Sequence, residues 1–464
     1  MIAFTNTQTR EKEEFVPING DEVLIYTCGP TVYNYAHIGN FRANVTYDIV
    51  KRWLKFRGYK VKHVMNITDV DDKTIRDSIS AGVSLKEFTD KYTAAFFDDC
   101  KTLRIKPPDV HPRATENIPQ MIKLIEELID KGYAYQATDN CVYFSIEKFK
   151  NYGKLSGLNL SELKHGARVA SDEYEKENVS DFALWKAWTP NDGDVKWESP
   201  WGAGRPGWHL ECSVMAREFL ADSIDIHMGG EDLIFPHHEN EIAQSEAATG
   251  KPFVKYWLHN AYLLVEGKKM SKSLGNFFTA RDLLEKGWTG REIRYVLLST
   301  HYRRQLNFTF DGLHAARSAL HRLDDLREKL GKVTAGGELA KNVFEAVDSA
   351  REKWITSLED DLEISQALAA LFDLVREANK IIETGEMNSA GASEILKFLN
   401  ETDEILDVKK GGEEIPEEIM KLAEERAAAR SEKNWARADE IRDLLKEKGY
   451  AVEDLAEGPR VKKL

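Results

Sequence analysis

Residues 235–244 read FPHHENEIAQ, which sets two histidines and two glutamates in a stretch with the character of a helix start. Pro236 suits the first position of a helix, and from there His237 and Glu241 fall four residues apart on one face. A pair with that spacing can hold a metal ion, though spacing alone more often marks a charged first turn whose acids face the positive end of the helix dipole. A second cluster, GKKMSKSLGN at 267–276, sets ammonium groups and hydroxyls between glycines, an assortment suited to phosphate and also to a solvated basic turn. The third, His37-Ile38-Gly39-Asn40, is weak alone, because a single histidine beside a glycine at a helix start is more often a cap or packing residue than a phosphate contact.

The elements around these clusters indicate how they are positioned. Residues 22–67 give a β-rich run (Val23–Tyr26), a helical pattern with Val45, Ile49 and Trp53 in register, a stop at Gly58 and a second β-rich run (Val61–Ile67), which is a βαβ unit. Its first strand ends at Thr27-Cys28-Gly29-Pro30, where open parallel sheets bind their ligands. From Asp109 to Pro206 the pattern loses regularity, with a helical stretch at Thr115–Lys131 and β-like runs at Tyr133–Ile146, and predicts an insertion. An α/β pattern resumes at Trp208, runs through Ile226–Gly230 into the 235–244 helix, and reaches strands around Trp257–Val265. Beyond Gly312 the spacing of Leu313, Ala316, Leu320, Leu323 and Leu326 predicts an all-helical region. The stretch Lys409–Glu414 reads as a linker to two helices ending at Gly449 and a short tail.

A chain of 464 residues exceeds one core and implies about three or four domains. Hydrophobic residues at 42% and charged residues at 31% supply ordinary globular cores. Net charge is −14, which disfavours indiscriminate binding to nucleic acid or acidic membranes while leaving room for a local basic groove. No apolar run approaches a membrane span, the N-terminal MIAFTNTQTREKEEF carries no signal segment, and four scattered cysteines suit a reducing compartment, so a cytoplasmic protein is expected.

In this order, on a split nucleotide-binding fold, HIGN and KMSKS resemble the HIGH and KMSKS signatures of class I aminoacyl-tRNA synthetases, with Asn40 where the first motif ends in histidine. Asparagine still donates a hydrogen bond but carries no charge. YTCGPTVYNYAHIGN, NITDVDDKTI, PGWHLECSVM, DIHMGGEDLIFPHHENEIAQ and KMSKSLGN resemble the cysteinyl-tRNA synthetases in particular, and RAAARSEKNWARADEIRDLLKEKGYAVED resembles their C-terminal tRNA-binding segment. Only Pro459 to Leu464 depart from the family's usual ending. The resemblance implies an α/β fold: a Rossmann-like catalytic domain in halves at 1–108 and 207–250, a connective insertion at 109–206, a KMSKS-containing stem-contact region at 251–312, a helical bundle at 313–408 and an anticodon-binding module at 409–464.

It further implies a zinc ion, one per chain, on Cys28, Cys212, His237 and Glu241, with His227, His238 and Glu239 as supporting or substrate contacts. Spacing alone does not pair Cys28 with Cys212. His37, Asn40, Lys269 and Lys272 are expected at the phosphates of ATP with Mg²⁺, beside the ATP-binding Gly39, Ser271 and Ser273; Thr31 and Trp208, flanking metal ligands in sequence, are expected to line the amino-acid pocket with His227. Arg430, Trp435, Asp439 and Asp454 offer a cation, a stacking platform and two acceptors for anticodon bases, and Cys100 and Cys141 are expected to be structural. Arg303 and Arg304 are either a tRNA-backbone contact or a solvated pair. The activity implied is ligation of L-cysteine to cysteine tRNA with ATP, by a monomer, with zinc separating thiolate from hydroxyl where a merely shaped pocket discriminates near-isosteres by only about a hundredfold. One rival is a small-molecule ligase on the same core, which should lack an RNA-reading tail; another is a non-catalytic RNA-binding relative, which should have decayed motifs.

Overall fold

The computed structural model describes residues 1–158, 181–271, 274–411, 417–431, 434–455 and 458–463, so that Lys272 and Ser273 lie outside the described residues, as does the side chain of Asp454. The chain divides into two units, Met1–Val408 and Lys409–Leu464.

The first unit is built on a four-stranded parallel sheet made of β1 (Glu22–Thr27), β2 (Lys60–Met65), β3 (Ile224–Gly230) and β4 (Val254–Asn260), in the order β4-β3-β1-β2. β1 reads EVLIYT and is buried from Val23 onward, the near-continuous apolar run of a strand covered on both faces. Helix α1 (Ile38–Phe56) joins β1 to β2 and buries Val45, Ile49 and Trp53. Its start is a reciprocal cap, with the His37 side chain accepting from Asn40 N and the Asn40 side chain accepting from His37 N. Because β1 proceeds outward to β2 on one side and β3 to β4 on the other, the carboxyl ends of β1 and β3 flank a switch-point crevice. The strand Val254–Asn260 pairs with β3 and belongs to this sheet, so a catalytic boundary at residue 250 would cut the sheet; the strands expected around Trp257–Val265 fall in two different sheets.

Between β2 and β3 lie a helix (Ile118–Asp130) and an antiparallel sheet of Ala134–Gln136, Val142–Phe144, Phe182–Ala187 and Gly204–Pro206. After β4, the strands Leu263–Val265, Lys268–Lys269 and Leu306–Phe308 form a small sheet whose hairpin turn, Glu266-Gly267, has positive φ at both residues, 49° and 72°. Four helices follow, Phe310–Gly331, Lys341–Glu359, Ile364–Glu383 and Ser389–Leu406, with Leu313, Ala316, Leu320, Leu323 and Leu326 buried.

A buried ion cluster joins these parts. Asp48 of α1 accepts from Arg52 Nε at 2.8 Å and from Arg294 Nη2 at 2.6 Å, and all three side chains are almost wholly buried. Arg294 also donates to the carbonyls of Leu406, Leu103 and Arg104, while Arg52 reaches Asp407 Oδ2 at 2.8 Å. One carboxylate thereby ties α1 to the helix Gly290–Leu298 and to the end of the helical bundle.

The second unit packs the helices Glu417–Ser431 and Trp435–Glu447 around Ile419, Ala423, Ile441 and Leu445. Its tail is more than a short extension: Tyr450–Leu455 and Gly458–Lys463 pair as an antiparallel hairpin that adds Val461 to that core.

Candidate active site at the switch point

Cys28 follows the last residue of β1, and its N–H donates to Met228 O on β3 at 3.4 Å, so the two central strands are tied where their carboxyl ends meet. The next residue approaches the neighbouring chain closely: Gly29 N donates to Asn66 Oδ1 at 2.8 Å, and a Cβ on Gly29 would stand 1.6 Å from the Asn66 carbonyl oxygen. Only glycine fits. Gly29→Ala is expected to displace the Cys28 turn and to lower the unfolding free energy by about 1–3 kcal/mol in urea denaturation. An unchanged midpoint would mean that the backbone gives way there at little cost.

Helix α2 (Trp208–Phe219) carries Cys212 to the same place, and the segment leading into α3 (Glu239–Thr249) brings His237 and Glu241. The backbone is extended at Phe235 (φ −137°, ψ 132°) and turns helical from Pro236, leading into the regular turns of Glu239–Thr249; His237 Nε2 meets Glu241 Oε1 at 3.1 Å. Cys28 Sγ lies 3.8 Å from Cys212 Sγ and 3.8 Å from Glu241 Oε1, and Cys212 Sγ lies 3.5 Å from His237 Nε2. Two overlapping quartets have their donor atoms within 4.8 Å of one another: Cys28, Cys212, His237 and Glu241, and Cys28, His227, His238 and Glu241. Cys28 is partly buried, and the other five are buried.

Electrostatics sharpen the grouping. Burial pushes the Cys28 thiol well up, and Cys212 and Glu241 beside it push the same way. Burial also opposes ionisation of Cys212, yet the hydrogen bond with Cys28 and the proximity of His237 draw it down to about 6. Glu241 is likewise opposed by burial but held at about 2 by His227 and His237. Two sulfurs and a carboxylate are thus crowded into a dry pocket, an arrangement that favours a bound cation.

Around them runs a second layer of histidines. His227, in the middle of the sheet between Tyr26 and Trp257, meets Glu241 Oε2 at 2.9 Å. His238 Nε2 lies 3.3 Å from Cys28 Sγ, and its Nδ1 meets His259 Nε2 at 2.8 Å; His259 Nδ1 in turn meets Thr7 Oγ1 at 2.8 Å. Burial drives His238 and His259 well below the ordinary imidazole range, so both are neutral. His209 Nδ1 faces His237 Nδ1 at 2.9 Å, and Trp208 packs over the His237 ring at 4.3 Å between centroids. Sequence reasoning missed His209, His259 and Thr7 as parts of this array; their signal was a high local density of histidine, but only the strand register shows which ones meet. Glu239 points elsewhere, accepting from the backbone of Gly153, Leu155 and Ser156 and from Ser156 Oγ. Thr31 lies on the crevice loop, bridged to Thr68, whose hydroxyl donates to Glu211 Oε2 at 2.8 Å. Cys100 and Cys141 are buried outside both quartets.

The HIGN turn and Met270 come together at the start of α1. A Cβ on Gly39 would lie 3.3 Å from Met270 Cε, Ile38 N donates to Phe278 O at 3.0 Å, and the His37 ring packs edge-on to Phe277. Burial lowers His37 to about 4, so the ring is neutral; because its Nδ1 accepts from Asn40 N, the proton sits on Nε2. Asn276 Oδ1 accepts from Ser271 N at 2.9 Å, and Asn276 Nδ2 donates to Lys269 O at 3.2 Å, which holds the turn after the hairpin. Lys269 is exposed.

In the second unit Arg430 lies over the Trp435 ring at 5.6 Å, and Asp439 pairs with Arg442 one turn further along. Trp435 is 56% exposed and outside the unit's core, which leaves its ring available as a platform. The backbone of Asp454 lies in the hairpin opposite Pro459.

Solved structures share this architecture. The Mycobacterium tuberculosis methionyl-tRNA synthetase in complex with methionyl-adenylate superposes with a TM-score of 0.60 at 16% identity, over 84% of this chain and 90% of that one. The Agrobacterium radiobacter K84 LeuRS, solved in a ternary complex, gives 0.62 at 12% identity, over 85% of each chain. Residues 14–318 match the catalytic domain of tRNA synthetases class I (C), and residues 353–408 a DALR domain. Fold and paired motifs together define a class I aminoacyl-tRNA synthetase. Residues 412–458 match the cysteinyl-tRNA ligase anticodon binding domain. The cysteine–tRNA ligase of Chlamydia muridarum is 53% identical over 470 residues, covering 99% of both chains, and that of Protochlamydia amoebophila is 49% identical over 464 residues, covering 99% of this chain and 97% of the relative. The chain belongs to the cysteine–tRNA ligase family.

Proposed function

We propose that this protein activates L-cysteine with ATP and transfers it to the 3′-terminal ribose of cysteine tRNA, recognising the substrate thiol at a zinc ion held by Cys28, Cys212, His237 and Glu241. The observation that carries the reading is the spacing of those four donors. With a zinc–sulfur bond of about 2.3 Å and a zinc–nitrogen bond of about 2.0–2.1 Å, a tetrahedron separates two sulfurs by about 3.8 Å and sulfur from nitrogen by about 3.5 Å, and the corresponding separations here are 3.8 and 3.5 Å. In the rival quartet His227 meets Glu241 on the other carboxylate oxygen, Oε2, away from the oxygen that faces His237 and Cys28, so His227 is better read as orienting Glu241. Bound in the first quartet, zinc supplies a borderline-soft cation that favours thiolate over hydroxyl.

Catalysis then rests on positioning and charge. The carboxylate of cysteine attacks the α-phosphorus of ATP, the bond from that phosphorus to the bridging oxygen breaks, and pyrophosphate leaves. His37 presents its Nε2 proton to a phosphate oxygen, Asn40 its amide, and Lys269, with Lys272 beyond the described residues, neutralises the departing charge, to which Mg²⁺ bound with ATP would add positive charge. Gly39 lets the triphosphate approach α1, Ser271 and Ser273 offer it their hydroxyls, and Thr31, Trp208 and His227 line the amino-acid end. The ribose hydroxyl oxygen finally attacks the acyl carbon, losing its proton as AMP departs. ATP–pyrophosphate exchange with each amino acid tests this: exchange driven by cysteine and not serine is expected, and serine-driven exchange without cysteine would overturn it.

The terminal unit supports a tRNA acceptor over a small molecule, through the exposed Trp435 with Arg430 and Asp439 beside it and Asp454 on the hairpin. Trp435→Ala is expected to leave cysteine-dependent exchange intact and to lower aminoacylation efficiency about five- to a hundredfold, the worth of one base–aromatic stack. Since Trp435 lies outside the core, the unit's thermal stability should not move; a drop in stability with a defect independent of anticodon sequence would mark a structural role instead.

A further inference from the structure

Two residues beyond the HIGN motif, Arg42 is buried to 2% exposure on α1. Its Nη1 donates to Ala261 O and Tyr262 O, both at 2.8 Å, and its Nη2 donates to His301 O at 3.3 Å and to Arg304 O. No carboxylate among the described residues lies within ion-pair distance of it, and Glu231 acts on it only from further off. The four carbonyls belong to two segments. Ala261 and Tyr262 enter the strand Leu263–Val265, and His301 to Arg304 enter Leu306–Phe308, which pairs parallel to it. Leu264 and Val265 pair in turn with Lys269 and Lys268, the residues that lead into the KMSK turn. One guanidinium therefore grips the base of the sheet whose hairpin carries Lys269, while at the tip Met270 meets Gly39.

A guanidinium is an expensive choice for a purely mechanical join, because apolar packing of the same volume avoids desolvating a charge. What the rigid planar fork adds is a fixed geometry toward several acceptors at once. Burial lowers Arg42 only to about 10, so it stays charged at neutral pH.

We propose that Arg42 is a positioning residue for adenylate formation, fixing the KMSK-bearing sheet against the first turn of α1 so that Lys269 and the His37–Asn40 turn close on the same triphosphate. The proposal rests on the cysteine-activating function proposed above, and it concerns activation alone, since transfer to tRNA begins after pyrophosphate has left.

The test compares wild type, Arg42→Met and Arg42→Lys, full chain, with metal content and thermal midpoint recorded for each. Arg42→Met is expected to lower kcat for cysteine-dependent pyrophosphate exchange about a hundredfold, the scale of an ångström's misplacement of reacting groups. KM for cysteine and metal content should stay at wild-type values. Arg42→Lys, which keeps the charge but reaches fewer of the four carbonyls, should recover part of the rate. Cysteinyl-adenylate accumulated on each enzyme with pyrophosphatase, then mixed with cysteine tRNA, should transfer at the wild-type rate. Activation and transfer falling together, or KM for cysteine rising with the loss of kcat, would overturn the proposal in favour of general loosening; unchanged exchange in Arg42→Met would overturn it outright. If Arg42→Met fails to fold, the same split in Arg42→Lys decides. Failure of the wild type itself to exchange with cysteine would strike the functional reading and not the clamp.

Discussion

Cys212→Ser is expected to lose the proposed zinc and cysteine activation together. Its sulfur sits 3.5 Å from His237 Nε2 and 3.8 Å from Cys28 Sγ, and a serine hydroxyl in that place neither ionises nor suits zinc as thiolate does. The expected loss in metal affinity exceeds the roughly 10–100-fold that follows removal of an outer partner. His209→Ala supplies that smaller comparison, because His209 touches His237 through the nitrogen facing away from the sulfurs. Metal content after dialysis against a chelator and cysteine-dependent exchange should rank wild type, His209→Ala and Cys212→Ser in that order. Full metal occupancy with unchanged activation in Cys212→Ser would remove Cys212 from the site and turn attention to the quartet containing His227 and His238.

The second large effect is on stability. Asp48→Ala leaves the guanidinium groups of Arg52 and Arg294 buried without the carboxylate they share, and removing one partner of a buried ion pair typically costs about 3–5 kcal/mol. Asp407 pairs directly with Arg52, whereas Arg294 keeps backbone carbonyls as its hydrogen-bond partners and feels Asp407 only from further off. Urea unfolding should therefore show a markedly lower midpoint. A loss below about 1 kcal/mol, the scale of a surface pair, would mean that water reaches the cluster once the carboxylate is gone.

The parts of this fold that sequence reveals are those whose signal is local. The alternation of β1, α1 and β2 rests on runs and periods within about fifty residues, and the structure places these elements within a residue or two of that reading, with Val45, Ile49 and Trp53 all buried. The heptad-like stripe from Leu313 to Leu326 reads equally well. The KMSK hairpin, by contrast, turns on Glu266-Gly267, where a glutamate adopts positive φ against its preference. The strands Phe182–Ala187 and Gly204–Pro206 escaped notice because tryptophans, glycines and a proline disguise them, and the terminal hairpin because Tyr450–Lys463 is too charged to read as strand. Within the site, His237 and Glu241 share a face that spacing reveals, but Cys28 and Cys212 meet only through the pairing of β1 with β3, which no local pattern encodes. Family resemblance supplied that pair, and no resemblance cited there pointed to His209, His259 or Arg42, whose contacts depend on side-chain direction.

The adjacency of β1 and β3 sets a condition on how the chain can be made. On a ribosome, β1 emerges early and can pair with β2 across α1, but its other edge, lined by Ile25, Tyr26 and Thr27, has no partner until β3 appears. At roughly 5–20 residues per second, the intervening stretch of about 200 residues takes on the order of 10–40 s to synthesise. Throughout that interval the nascent chain presents an apolar strand edge of the kind that templates aggregation. Chains released before about residue 230 should therefore be insoluble or chaperone-bound, and slowing translation across the insertion should lower the yield of active enzyme more than slowing it across the helical bundle, whose contacts close locally.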